Sequence, residues 1–348
     1  KLERDLTLME VPDDEWRRLA RQGFDYVWLM GVWQRSAAGR RVAIEHQGLR
    51  KDYADALPDW TEADVTGSPY AVRDYRLDPL LGGQDELRAL KARLNSLGLG
   101  LIVDFVSNHV AIDHPWTLSH PDWFVRADEK ALEQHPDWFY SPDGKNYLAH
   151  GKDPYFPPWT DTAQINYSST EVREALTLEM LKLAEVSDGA RCDMAMLAVN
   201  SVFLPVWEWT LKGRARPKQE FWPDAINRVK ARHPDFLFMA EVYWGMEREL
   251  QQMGFDFTYD KVLYDKLRYS KAAEVGTHLM SVQHYQSRMA RFIENHDEAR
   301  AVTAFGRDRS RAAAIVTAHA DAWGTELARE EGKTFAEGRG EVLRAAQI

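Results

Sequence analysis

The sequence predicts an α/β fold built on a parallel sheet, and two observations carry that expectation. Apolar runs of strand length recur along the chain and alternate with segments of helical periodicity, as in a sheet whose strands are covered by helices. Each run also holds a polar residue at or near its C-terminal end. In a (β/α)8 TIM barrel those ends meet at one face, where residues far apart in sequence can gather around one substrate.

The strand candidates, in chain order, are 26–32, 99–106, 190–196, 236–243, 255–259 and 290–294. Between the first two, segment 85–96 places Leu87, Leu90 and Leu94 on one face, begins with two acids and stops before Gly98, which reads as a covering helix. Segment 171–186 repeats the logic with Val172, Leu176, Met180 and Leu183 behind Ser169 and Thr170, which can cap its first turn. A shorter helix is expected at 225–232. Segment 110–166 breaks the rhythm, being crowded with Pro, Asp, His and Trp116, Trp123, Trp138 and Trp159. It is expected to form an inserted loop domain after the third strand, its Trp rings either stacking on sugars or packing the insertion together.

The ends are irregular. Residues 1–20 hold no evident first strand, and 319–348, rich in Ala, Glu, Arg and Gly, show no strand to fill the eighth position, which leaves open a barrel lacking both. The expected divisions are 1–109 and 167–318 for the barrel, 110–166 for the insertion and 319–348 for a helical tail.

A chain of 348 residues with 45% hydrophobic content can bury a large core. Its 54 acidic and 44 basic residues give a net charge of −10, with no basic cluster interleaved with aromatics, so nucleic acid is not an expected partner. No apolar run is long enough to suggest a membrane partner or a secretory signal. The single Cys192 cannot form an intrachain disulfide, and a cytoplasmic location is expected. Nothing specifies the oligomeric state.

Four acids sit on separate strand candidates, 89, 48 and 56 residues apart: Asp104 in LIVDFVSNH, Asp193 in GARCDMAML, Glu241 in FLFMAEVYW and Asp297 in RFIENHD. Cleaving an acetal with retention needs a nucleophilic carboxylate and a protonated carboxyl roughly 5–5.5 Å apart, which two acids on neighbouring strands can supply. Arg191, two residues before Asp193, points to the same side of a strand and is expected to hold that acid ionised. Glu241 has apolar neighbours in Phe238, Met239, Val242 and Tyr243, a setting that keeps a carboxyl protonated. His109 and His296 flank the same strand ends and can hydrogen-bond sugar hydroxyls.

In order and spacing these segments resemble the short motifs of glycoside hydrolase family 13, the α-amylase family, over about 27–305. The resemblance implies a TIM-barrel catalytic core in which Asp193 is the nucleophile, Glu241 the general acid/base and Asp297 a third carboxylate that grips substrate hydroxyls. It further implies that His109, Arg191 and His296 bind or orient the sugar, that Tyr70 in SPYAVRDYRLDPLLGG is a stacking platform, and that Asp104 is directed toward Arg191. Two departures stand out. Met196 and Leu197 occupy positions where starch-cleaving members often carry Lys-His, and Gln164 in TAQIN replaces an Asp that commonly helps hold calcium. No metal and no cofactor are expected. The activity implied is that of a retaining α-glycosidase on an α-glucan, oligosaccharide or glucoside; a transglycosylase or isomerase of the same family and a catalytically silent sugar-binding protein are the alternatives.

Overall fold

The computed structural model describes residues 6–211, 218–281, 283–330 and 345–347. Its centre is a parallel sheet of β1 (Tyr26–Leu29), β2 (Gly100–Val106), β3 (Gly189–Asp193), β4 (Leu237–Ala240), β5 (Phe257–Tyr259), β6 (Met289–Ala290) and β7 (Ala345–Gln347), in the order β6-β5-β4-β3-β2-β1-β7. Six of these strands fall on the expected segments, and together they form a partial barrel; among the described residues β6 and β7 are not paired with each other.

The strands hold together because both their faces are covered. The β2 side chains from Leu101 to Val106 are buried without exception, the near-continuous apolar pattern of a parallel strand between layers. Leu87, Leu90 and Leu94 of helix Gln84–Asn95 are fully buried, and the helix is started by Glu86, whose carboxylate accepts from the Gly83 N–H at 2.8 Å. Helix Thr170–Val186 buries Val172, Leu176 and Met180, with the Ser169 hydroxyl accepting from Val172 N–H. Helix Phe221–Lys230 overlaps the predicted 225–232, beginning four residues earlier and ending two residues sooner.

Two expectations about strands need correcting. The ladder at 290–294 closes at Ala290, because β6 has a partner on one side only, and Phe292 packs instead against Tyr259 and Tyr264 at 5.3 and 5.6 Å. The tail, expected to lack a strand, contributes β7, which pairs in parallel with β1 through Tyr26↔Ala345, Val27↔Ala346 and Trp28↔Gln347. The outer edge of β1 offers unpaired backbone groups that even an Ala-rich segment can satisfy. Before β1, helix Asp13–Arg21 buries Trp16 and Leu19 where no element was expected; residues 1–5 lie outside the described range.

Segment 110–166 carries two small antiparallel pairings, His109–Ala111 with Thr162–Gln164 and Phe139–Tyr140 with Leu148–Ala149. Its buried residues Phe124, Val125, Leu148 and Ile165 join the same apolar cluster as Leu87, Leu176 and Phe238 of the barrel. Trp116, Trp123 and Trp138 are partly buried against the core and meet His114, His120 and His135 respectively, whereas Trp159 lines the site described below. A second excursion, between the antiparallel strands Trp33–Arg35 and Val72–Leu77, holds helices Ala37–Glu45 and Arg50–Ala56, neither of which was expected.

Candidate active site

Parallel strands deliver the ends of β2, β3, β4 and β6 to one face, and a cavity of about 370 Å³ lies there. Its lining includes Tyr70, His109, Asp193, Glu241, His296 and Asp297, six of the seven residues singled out from the sequence. The seventh, Arg191, has no exposed surface and sits beneath them. Trp159, read from the sequence as either a sugar platform or a packing residue, also lines the cavity, as do Ser68, Asp161 and Tyr243, which were not singled out as site residues. Tyr243 carries a readable signal, being two residues beyond Glu241; Asp161 lies in an aperiodic loop that offers none.

Arg191 is the hub. On β3 it is paired with Asp104 of β2, and Asp193 follows two residues later on the same side of the strand. Nη1 donates to Asp193 Oδ1 at 2.7 Å and to Asp104 Oδ1 at 3.3 Å, Nε donates to the Tyr259 hydroxyl at 3.2 Å, and Nη2 lies 2.6 Å from Glu241 Oε2. The guanidinium is also 5.1 Å from the Trp28 ring centre and 5.2 Å from that of Tyr70, so its faces meet aromatic π-clouds while its edge meets carboxylates. Asp104 is fixed further by the Gly31 N–H at 2.8 Å.

One guanidinium among three buried carboxylates leaves the cluster short of positive charge. Burial pushes the Asp193 carboxyl up to about 8, with Glu241 and Asp104 adding to the rise against the pull of Arg191. Burial likewise lifts Asp104 to about 6. Arg191 pulls the Asp193 carboxyl down by charge and by hydrogen bond, in the expected direction, but the guanidinium is divided among neighbours and burial outweighs it.

The surroundings expected for Glu241 are also corrected. Its carboxyl meets donors, not apolar side chains: the Tyr243 hydroxyl donates to Oε1 at 2.7 Å, and the Met194 N–H donates to Oε2 at 2.7 Å. Met194 reaches it by adopting a left-handed conformation, φ 42°, rare for a residue with a long side chain and costly by about 1–3 kcal/mol. Ladder-like bonds between Ala195 N–H and Glu241 O, and between Glu241 N–H and Cys192 O, hold the two strand ends in step.

On the opposite wall the Tyr70 ring stacks on His296, with centres 5.4 Å apart, and the Tyr70 hydroxyl lies 2.9 Å from His296 Nε2. Asp297 Oδ2 is 3.2 Å from the same nitrogen, and its side chain is half-exposed. His109 is buried beside Trp159, ring centres 5.2 Å apart, and burial lowers its ring to about 4, so it is neutral at pH 7. Because the unfolded chain protonates this histidine below about 6.5 and the folded chain does not, stability should fall as pH drops from 6.5 toward 4. A His109→Gln variant is expected to flatten that slope by up to roughly 3 kcal/mol, measured as urea unfolding at stepped pH.

Several departures resolve into packing. Met196 and Leu197 are buried in the turn Ala195–Ala198. The Asn108 and Gln164 amides bond each other, Asn108 Nδ2 donating at 3.2 Å and Gln164 Nε2 donating back at 3.0 Å. Among the described residues no group of three or more His, Cys, Asp or Glu side chains converges as a metal site. Trp33 is buried and donates to the Asp104 carbonyl at 2.6 Å. Trp244 is 42% exposed and meets the Tyr155 ring edge-on. Asp74 pairs with Arg76 and does not line the cavity. No helix among the described residues is long and apolar enough to cross a membrane.

Residues 23–326 match the family described as Alpha amylase, catalytic domain. The chain is 28% identical over 245 residues to an α-1,4-glucan:maltose-1-phosphate maltosyltransferase of Bifidobacterium longum, covering 68% of this chain and 27% of that protein. It is 26% identical over 287 residues to a probable oligo-1,6-glucosidase 2 of Bacillus subtilis, covering 70% of this chain and 50% of that one. The crystal structure of an α-amylase from Lactobacillus plantarum superposes with a TM-score of 0.57 at 23% identity, over 85% of this chain and 61% of that one. The chain thus spans from about a quarter to half of the length of these curated relatives.

Proposed function

Because the chain belongs to the α-amylase family, we propose that its cavity carries out retaining chemistry on an α-linked glucan, oligosaccharide or glucoside. The observation that carries the proposal is the sharing of one guanidinium by Asp193 and Glu241, which sets two carboxyls from adjacent strands at the two ends of one rigid planar group. The Asp193 carboxylate attacks the anomeric carbon as Glu241 gives its proton to the departing oxygen. Water then attacks the glycosyl–Asp193 ester while Glu241 takes the proton back. Tyr70, His109, His296 and Asp297 line the space where the sugar bound to Asp193 would sit, offering a flat ring face and hydroxyl partners. Segment 110–166 acts in this reading as an inserted unit that lays Trp159 and Asp161 over the barrel's face.

Capture by a sugar hydroxyl in place of water is the second reading, favoured by the exposed rings of Tyr155, Phe156 and Trp244, which can shelter an acceptor. A fluorinated α-glycosyl donor that acylates slowly tests the shared mechanism: denaturing mass spectrometry is expected to show one sugar mass on the peptide bearing Asp193. Turnover without that adduct would reject it. Products from maltoheptaose, sucrose and trehalose then separate the outcomes, products longer than the substrate indicating transfer and shorter ones alone indicating hydrolysis. Sugar binding without any product would leave a silent binding protein.

A further inference from the structure

The residues that follow Glu241 turn through backbone angles that a side chain resists. Trp244 stands at φ 64° and Gly245 at φ 78°, and among the described residues the only other non-glycine residue with positive φ is Met194. Both strained residues serve one carboxyl. Met194 donates its own N–H to Glu241 Oε2 at 2.7 Å, and Trp244 makes the turn directly after Tyr243, whose hydroxyl donates to Oε1 at 2.7 Å. Strain of this kind persists where the surroundings over-determine it, and it collects at working sites. Tyr243 lines the same cavity as Glu241.

The two oxygens of Glu241 are not equivalent. Among the described residues Oε2 faces nitrogen alone, the Met194 N–H and, at 2.6 Å, Arg191 Nη2; neither can accept a hydrogen bond from a protonated oxygen. Oε1 meets a hydroxyl, which can. The proton that Glu241 gives up in the proposed reaction is therefore carried on Oε1. Burial, and then the charge of Glu241, raise the proton affinity of the Tyr243 hydroxyl, so it stays a neutral donor and passes on no proton of its own.

We propose that Tyr243 is a positioning residue for acid catalysis, holding Glu241 Oε1 as the atom that delivers the proton and stabilising the charge left on it. As the bond from the anomeric carbon to the departing oxygen breaks, its electron pair goes to that oxygen, which takes the proton from Oε1 while Asp193 bonds to the anomeric carbon. Oε1 becomes negative, and the hydrogen bond from Tyr243 becomes charge-assisted and stronger at that moment. A bond that strengthens toward the transition state accelerates the step. The role deepens the glycosidic reading above and rests on it.

Tyr243→Phe keeps the ring and removes the hydroxyl. The test compares it with the wild type on 4-nitrophenyl, phenyl and 4-methoxyphenyl α-glucosides and α-maltosides, whose leaving groups are similar in size and need increasing help from an acid. kcat/KM is expected to fall about threefold or less for the nitrophenyl donors and roughly 10–100-fold for the methoxyphenyl ones. The readout is the ratio between donors, which neither a partly unfolded preparation nor a lost ring contact with the sugar alters. A loss equal across the series, or no loss at all, overturns the role of Tyr243 while leaving the glycosidic reading intact. No phenol released from any donor by the wild type, with or without maltose as acceptor, rejects both.

Discussion

Asp193→Asn is expected to lower kcat by roughly 10⁴-fold, about 5 kcal/mol of transition-state stabilisation, while leaving the fold at least as stable as the wild type. The first half follows from the proposed role: an amide cannot form the glycosyl ester, and the residual rate is what positioning and the acid/base supply. The second half follows from the charge count around Arg191. Asp193 is one of three carboxylates drawing on one buried guanidinium, and its proton affinity is raised to about 8 by burial in the first place. Between the unfolded value near 3.8 and about 8 the folded chain holds a proton that the unfolded chain has released, so this group weakens the fold as pH rises through that window. An Asn carries no such penalty. Calorimetry alongside product analysis separates the two effects; a melting temperature that drops with the activity would make Asp193 a structural residue.

Arg191→Met is expected to produce the largest loss of stability, about 3–5 kcal/mol, because it leaves Asp104, Asp193 and Glu241 buried without their shared cation. The side chain has no exposed surface, so water cannot substitute for it. The sign of the pH dependence identifies the cause. Without the cation the Asp104 and Asp193 carboxyls, already raised by burial, hold protons still more tightly in the folded state, so the deficit should narrow as pH falls toward 4. A deficit that stays constant between pH 4 and pH 8 in urea unfolding would assign the loss to packing against Trp28 and Tyr70 instead.

What could be read from the sequence obeys local rules. A strand of the buried parallel kind announces itself as an apolar run, so β1 to β5 were found within a few residues, and Arg191 and Asp193 share a side because the strand repeat is two. The covering helices were legible through Leu87, Leu90 and Leu94 or Val172, Leu176 and Met180, whose spacing is helical. The short β7 was not, since Ala345–Gln347 has no β-branched residue and forms only because β1 offers an edge. Nor could the donors on Glu241 be foreseen: one comes from the backbone of Met194, whose left-handed turn no side-chain pattern encodes. The helices between Ala37 and Ala56 escaped for another reason, as short, half-exposed elements with weak periodicity.

The joining of segment 110–166 to the barrel's apolar cluster reaches beyond packing. Phe124, Leu148 and Ile165 rest on the same hydrocarbon as Leu176 and Phe238, so segment 110–166 shares its interior with the barrel. The wall bearing Trp159 and Asp161 and the floor bearing Asp193 therefore belong to one melting unit. Heat or denaturant cannot peel the roof from the site while sparing the floor, and a substitution deep in either half is felt as a loss of order in both.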